Sequence, residues 1–212
     1  MNFLKDAAVV VATGTLVAQG VGAAASQRPT PNLAPVIAAA YGRNDALQSY
    51  TFQVSINMAM RHFPWLRFKM EGVGDYLRGD HYLVHLTKKP GFASKMKDID
   101  LSMIDPTMWP KRYRYEKSGE QDGDTLFALQ STQKPNSLQA ATVALNPALG
   151  AQWVDVTYTD GTHIHMNVTS DTIFGFLLPT TLTADVNYPH MSPLSADASF
   201  SNYAITDPAL QQ

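Results

Sequence analysis

The chain contains no cysteine. That excludes structural disulfides, thiol catalysis and the lipid-modified cysteine of a bacterial lipoprotein, so the fold has to be held by its core. Charge is scarce as well: 16% of the 212 residues are Asp, Glu, Lys or Arg, and the formal net charge is -2. Average globular domains carry roughly 25%, and the shortfall points to apolar surface kept for a purpose. No basic surplus exists to displace counterions from phosphates, so nucleic acid is not an expected partner. There is no Gly-x-Ser-x-Gly elbow and no Gly-rich phosphate loop, and no internal repeat of solenoid length. Nothing in the chain announces an enzyme.

Long hydrophobic runs are also missing. The one extended apolar stretch, Ala7 to Val17, is too short and too small-sided for a membrane span. It follows a short Met1–Asp6 segment carrying Lys5 and precedes the small residues Gly20 to Ala25, which offer an A-x-A cut before Ser26. Residues 1–25 therefore read as an export signal cleaved near Ala25/Ser26, with an uncleaved anchor as the alternative. A bacterial periplasm fits an exported, cysteine-free chain. Residues 26–32 (SQRPTPN) form a Pro-rich linker, and 33–212 is long enough for one domain with a real core.

What the sequence has in abundance is alternation. Phe52, Val54, Ile56, Met58 and Met60 fall on one face of an extended strand, with Thr51, Gln53, Ser55 and Asn57 on the other. After a break at Phe63-Pro64 the pattern resumes with Leu66, Phe68, Met70, Gly72, Gly74 and Tyr76 against Arg67, Lys69, Glu71 and Asp75. A period of two marks half-buried antiparallel strands. The dry face is rich in Met and Phe, which adapt to irregular apolar shapes. Arg78-Gly79-Asp80 marks a turn before a third strand, His81 to Leu86. Further strands are expected at Arg112–Lys117, Thr125–Gln130, Ala140–Leu145, Trp153–Thr159, Thr162–Val168, Thr180–Tyr188 and Phe200–Ile205. The Trp153–Val168 pair is joined by Asp160-Gly161, a dipeptide that tight primed turns favour. A short amphipathic helix is expected over Leu33–Leu47, and one or two more within Lys88–Lys111, where Phe92, Met96, Ile99, Met103 and Ile104 recur at helical intervals. The expected fold class is α+β: one antiparallel sheet of roughly nine to eleven strands with helical insertions.

Candidate chemistry is thin. His163-x-His165 shares a strand face, but that face is the polar one, so a solvated pair is the default and no metal site is assigned. Gly72-x-Gly74 inside a strand points to a bend or to close approach of another element. No catalytic residue and no cofactor is expected. The remaining signal is apolar: Trp65, Phe92, Met96, Met103, Ile104, Met108 and Trp109 flank the strands. They form either an ordinary second layer or a lid over the concave face of a curved sheet.

The order of elements, together with Phe68–Leu86 (FKMEGVGDYLRGDHYLVHL, with Gly74, Tyr76, Arg78, Asp80 and Tyr82) and the closing Leu178-Pro179-Thr180 and Phe200-Ser201-Asn202-Tyr203, resembles the LolA/LolB-like fold. That group includes periplasmic lipoprotein carriers and mycobacterial lipid-carrying lipoproteins. The resemblance implies an incomplete β-barrel whose concave apolar face, closed by short helices, holds acyl chains without any catalytic constellation. Two departures stand out: the absent anchoring cysteine, and the Met- and Trp-rich Lys88–Lys111 segment. The expected ligand-binding residues are Phe52, Val54, Ile56, Met58, Leu66, Phe68, Met70 and Tyr82, with Ile164 and Met166 across the sheet and Met103 and Trp109 on the cover. The competing expectation is that these side chains simply pack on one another. The expected function is a soluble, monomeric carrier of a lipid or other hydrophobic molecule, handing cargo between membranes or to a membrane protein. A sensor or regulatory module acting through a protein partner is the alternative.

Overall fold

The computed structural model describes residue 44 and residues 46–94, 98–132 and 137–205. The expected signal, linker and most of the Leu33–Leu47 helix lie outside the described residues. The strands are β1 (Ser49–Met60), β2 (Phe63–Leu77), β3 (His81–Lys88), β4 (Asp98–Asp100), β5 (Tyr113–Gln121), β6 (Asp124–Ser131), β7 (Leu138–Leu145), β8 (Ala151–Tyr158), β9 (His163–Ile173), β10 (Phe176–Asn187) and β11 (Leu194–Ile205). They form one antiparallel sheet of 11 strands in the order β4-β3-β2-β1-β11-β10-β9-β8-β7-β6-β5. Only β1–β11 joins strands distant in sequence; Val54 lies opposite Phe200 and Met58 opposite Ala196.

The two edge strands, β4 and β5, are separated by only residues 101–112. Eleven strands spaced about 4.8 Å apart would span roughly 48 Å if flat. Twelve residues reach at most about 43 Å even when fully extended, and these are wound into 3-10 turns at Ser102–Ile104 and Pro106–Met108 and a single helical turn, α1 (Trp109–Arg112). The sheet must therefore curl. The edges do not pair, so it is an open half-barrel, with 101–112 crossing its concave side.

Three expectations change in detail. The Lys88–Lys111 segment holds a short edge strand, Asp98–Asp100, paired with Leu83–His85, and 3-10 turns where longer helices were expected. Pro106 and Pro110 limit each helical stretch, since neither can donate to a preceding turn. The last strand begins at Leu194, six residues earlier than Phe200, because the register with β1 carries through Ala196 and Ala198. The Asp160-Gly161 connection is a longer loop than a two-residue primed turn. Only Gly161 has a positive φ, the Tyr158 N–H donates to the Thr162 carbonyl at 2.9 Å, and the Asp160 carboxylate accepts from the Thr162 N–H at 2.8 Å. A type I′ turn would need positive φ at both central residues and a type II′ turn at the first, and Asp160 does not have it.

Inward residues of β1 and β2 alternate as expected: Phe52, Val54, Ile56, Met58, Met70 and Tyr76 are all buried. Gly74 has a specific reason. A Cβ there would sit 2.0 Å from the Phe52 ring, so the ring lies over the glycine and covers bare backbone. Around Phe52 gather Tyr203 (stacked, centroids 5.4 Å apart), Phe200 (5.6 Å) and Tyr82 (5.9 Å). This aromatic layer crosses the interior and divides it in two.

Gly74→Ala should therefore cost about 1–3 kcal/mol, the usual range for overpacking. The cost should shrink when Phe52 is first cut to Leu. Chemical denaturation of the two singles and the double reads the coupling, and strict additivity would contradict the Phe52–Gly74 contact.

Candidate functional site

On one side of the aromatic layer lies an apolar cavity of about 140 Å³, partly open to solvent. Its shape follows from the sizes of side chains along the strand register. One row runs Met58 (β1), Ala196 (β11), Ala184 (β10), Met166 (β9) and Val154 (β8). The next runs Met70 (β2), Ile56, Ala198, Leu182 and Val168. Three alanines thus sit where their neighbours carry long side chains, and the space they leave is the cavity. Ile99, Asp100 and Leu101 of the crossing segment also line it.

Of the residues expected from sequence, Val54, Ile56, Met58, Met70, Ile164 and Met166 line this cavity together. Phe52 is buried in the aromatic layer beside it. Tyr82 faces the opposite side of that layer. Phe68, opposite Met58, is half-buried against the core. Leu66 is exposed at the strand end. Trp109 is fully buried against Phe127 (5.4 Å) and Tyr115 on β6 and β5, and its indole N–H donates to the half-buried Met103's carbonyl at 3.0 Å. These two hold the crossing segment down at a distance from the cavity. Sequence reasoning missed Leu182, Ala184, Val186, Leu194, Ala196 and Ala198. The available signal was alternation in β10 and β11 with alanine at inward positions.

The crossing segment is fastened by polar contacts at the sheet edges. Arg112 Nη1 donates to Asp100 Oδ2 at 2.7 Å, with both side chains 17% exposed, and Nη2 donates to the Asp80 carbonyl at 3.0 Å. The Ser102 N–H donates to Asp100 Oδ1 at 2.8 Å, and the Ser102 and Tyr113 hydroxyls lie 3.0 Å apart. Asp100 is the one charged residue at the cavity rim among the described residues. A pair this far from water is costly to break by removing one partner.

Beyond the aromatic layer is a smaller polar pocket of about 50 Å³, where Tyr50, Tyr76, Tyr82, Asp105 and Thr107 converge. The Tyr50 and Tyr76 rings stack at 4.6 Å, and the hydroxyls of Tyr76 and Thr107 are 3.2 Å apart. The buried Tyr82 hydroxyl has no hydrogen-bond partner among the described residues, and the space is large enough for water. Loss of water raises the Asp105 carboxyl pKa, only partly offset by the Thr107 N–H and hydroxyl, the Tyr76 hydroxyl and the charge of Arg78.

The histidines all lie on the outer face. His81 touches Asp75 and Asp80, His85 touches Asp98, and His163 and His165 share Asp155 at 3.4 and 2.9 Å. Among the described residues no three such groups converge so as to hold a metal ion.

No family model matches the sequence, and no characterised protein matches it. Solved structures do. A LolA superfamily protein from Nitrosomonas europaea superposes with a TM-score of 0.57 at 12% identity, over 82% of this chain and 93% of that one. A domain assigned to outer membrane lipoprotein sorting from Vibrio parahaemolyticus gives 0.58 at 10%, over 82% and 92%. A DUF1329 family protein from Desulfovibrio piger gives 0.56 at 11%, over 86% and 100%. The chain has the LolA-like fold.

Asp105→Asn keeps an acceptor for the Thr107 N–H and removes the partly buried charge. A raised folded-state pKa means the ionised carboxylate weakens the native state at neutral pH, and the cost fades as pH falls through that pKa. The variant should melt higher than wild type at pH 7, with the gap narrowing on acidification. Thermal melts across pH check this, and a gap that is flat or widens towards acid would contradict it.

Proposed function

We propose that the chain is an exported, periplasmic carrier that holds a lipid or other hydrophobic molecule in the apolar half of its half-barrel. One observation carries this reading: the inward alanines of β10 and β11 leave a cavity where Leu or Val would complete an ordinary core. Native interiors are close-packed, with few voids of this size. Export is supported by the N-terminal sequence, and the carrier role agrees with the lipoprotein-sorting assignment of the Vibrio structure that shares the fold.

At about 140 Å³ the cavity is comparable to engineered apolar voids that take up benzene, and below the roughly 300–1,000 Å³ of most ligand pockets. It accepts the end of an acyl chain as it stands. A longer chain requires the 98–112 segment to lift, and each methylene then buried contributes about 0.8 kcal/mol. That segment has few ladder hydrogen bonds to lose, so lifting it costs mainly the Arg112–Asp100 pair and the burial of Leu101, Ile104, Met108 and Trp109.

Ala198→Leu should fill the cavity from beside Ile56 and Leu182. Stability should hold or rise by about 0.5–2 kcal/mol, as cavity filling commonly does, while uptake of a fluorescent fatty acid falls at least tenfold. Unchanged uptake in a folded Ala198→Leu protein, and in Ala196→Leu as a second variant, would place the ligand elsewhere.

Hydrogen exchange gives an independent check. Amides of 98–112 should exchange faster than those of β1 and β9 in the free protein and slow on fatty-acid binding, and Arg112→Ala should speed their exchange further. Uniform protection of 98–112 with and without ligand would make the segment plain core.

A further inference from the structure

The β1–β2 hairpin leaves the ladder at its tip. Ala59 lies opposite Arg67, yet Met60 lies opposite Phe63, so Pro64, Trp65 and Leu66 bulge out with no partner on β1. Bulges of this kind re-aim side chains. Here they turn apolar groups to water: Phe63 is 44%, Trp65 74% and Leu66 38% exposed, half of the large hydrophobics so exposed among the described residues. Phe63 and Trp65 meet edge to face, 5.6 Å apart. The surrounding sequence, Arg61 to Lys69 (RHFPWLRFK), carries three cations and no carboxylate in a chain whose net charge is -2. Arg67 donates to the Pro64 carbonyl at 3.2 Å, and the exposed Lys69 lies 3.1 Å from Glu71, a surface pair that an anionic headgroup can replace.

The tip is also held in place. The Arg61 N–H donates to the Pro193 carbonyl at 2.9 Å, its guanidinium reaches Asp185 at 2.8 Å, and the His62 N–H reaches the Ser192 hydroxyl at 3.3 Å. The hairpin is braced on the β10–β11 connection, and its aromatics are displayed from a fixed base. A braced apolar tip flanked by cations matches the chemistry of a bilayer interface. Indole and phenyl rings settle at the headgroup level, and Arg and Lys pair with anionic headgroups. The tip also stands at the cavity's end of the barrel, since Met58, which lines the cavity, is two residues from Met60, the partner of Phe63.

We propose that this hairpin docks the protein on the surface of an anionic lipid bilayer, with Phe63, Trp65 and Leu66 entering the interface and Arg67 and Lys69 meeting the headgroups. The docking stands apart from the cargo: a chain that takes up no fatty acid could still bind vesicles, and the reverse.

The test is flotation of the full chain with vesicles of phosphatidylcholine alone or with about 30% phosphatidylglycerol, read together with tryptophan emission. The expected result is binding to the anionic vesicles, weakened by salt, with a blue shift that Trp65→Phe abolishes. Phe63→Ser combined with Trp65→Ser should lower vesicle binding at least tenfold while leaving the melting temperature and fatty-acid uptake in solution unchanged, because both side chains are exposed. Arg67→Glu with Lys69→Glu should remove the preference for anionic lipid. Absence of vesicle binding, equal binding by the serine variant, or a self-association of the wild type that the serine variant loses without any vesicle binding would each overturn the proposal.

Discussion

The pairing of β1 with β11 is the contact on which the rest of the structure depends. It joins Ser49–Met60 to Leu194–Ile205, the first and last described strands in sequence, and merges two meanders into one surface. Without it the meanders β1 to β4 and β5 to β11 would each present a second unpaired edge, at β1 and at β11. The register of that pairing also decides the interior. Opposing Met58 to Ala196 and Ile56 to Ala198 sets long flexible side chains against small ones, and a shift of one residue would send the whole inward face to solvent.

Curvature follows from connectivity. A short segment must bridge two edges that a flat sheet would hold beyond its reach, and the Arg112–Asp100 pair at the rim fastens that bridge at both edges. The interior so enclosed is unequal. The Phe52 layer, seated on Gly74, separates an apolar half from one lined by tyrosine hydroxyls and a carboxyl. Burial keeps the Tyr50 and Tyr82 pKa values well above the ordinary tyrosine range, so these hydroxyls stay neutral.

Much of this was legible in the sequence where the signal was local. Alternation identified the inward face of β1 from Phe52 to Met58 and of β2 from Met70 to Tyr76, while Leu66 at the strand's outer end is exposed, and Arg78-Gly79-Asp80 and Asp160-Gly161 located two turns. Gly74 was recognisable as a site of close approach, although nothing in the sequence named Phe52 as the neighbour. What escaped was set by non-local pairing. Ala184, Ala196 and Ala198 look like filler until the register places the first two between Met58 and Met166 and the third between Ile56 and Leu182. The apparent helical spacing of Ile99, Met103 and Ile104 misled because a strand pairing with β3 and two prolines outweighed it. Trp109 seemed a cover residue by composition, yet its indole is spent on anchoring the segment to β5 and β6.

If the apolar half of the barrel holds a ligand, the protein taken from its native host should carry one. Native mass spectrometry of the purified chain, followed by lipid extraction, should show a bound fraction heavier by one acyl-chain lipid or similar hydrophobic molecule, and the extract should contain that molecule. A chain that flies only at its own mass, and whose extract contains no hydrophobic molecule above the level of a control protein, would contradict the account.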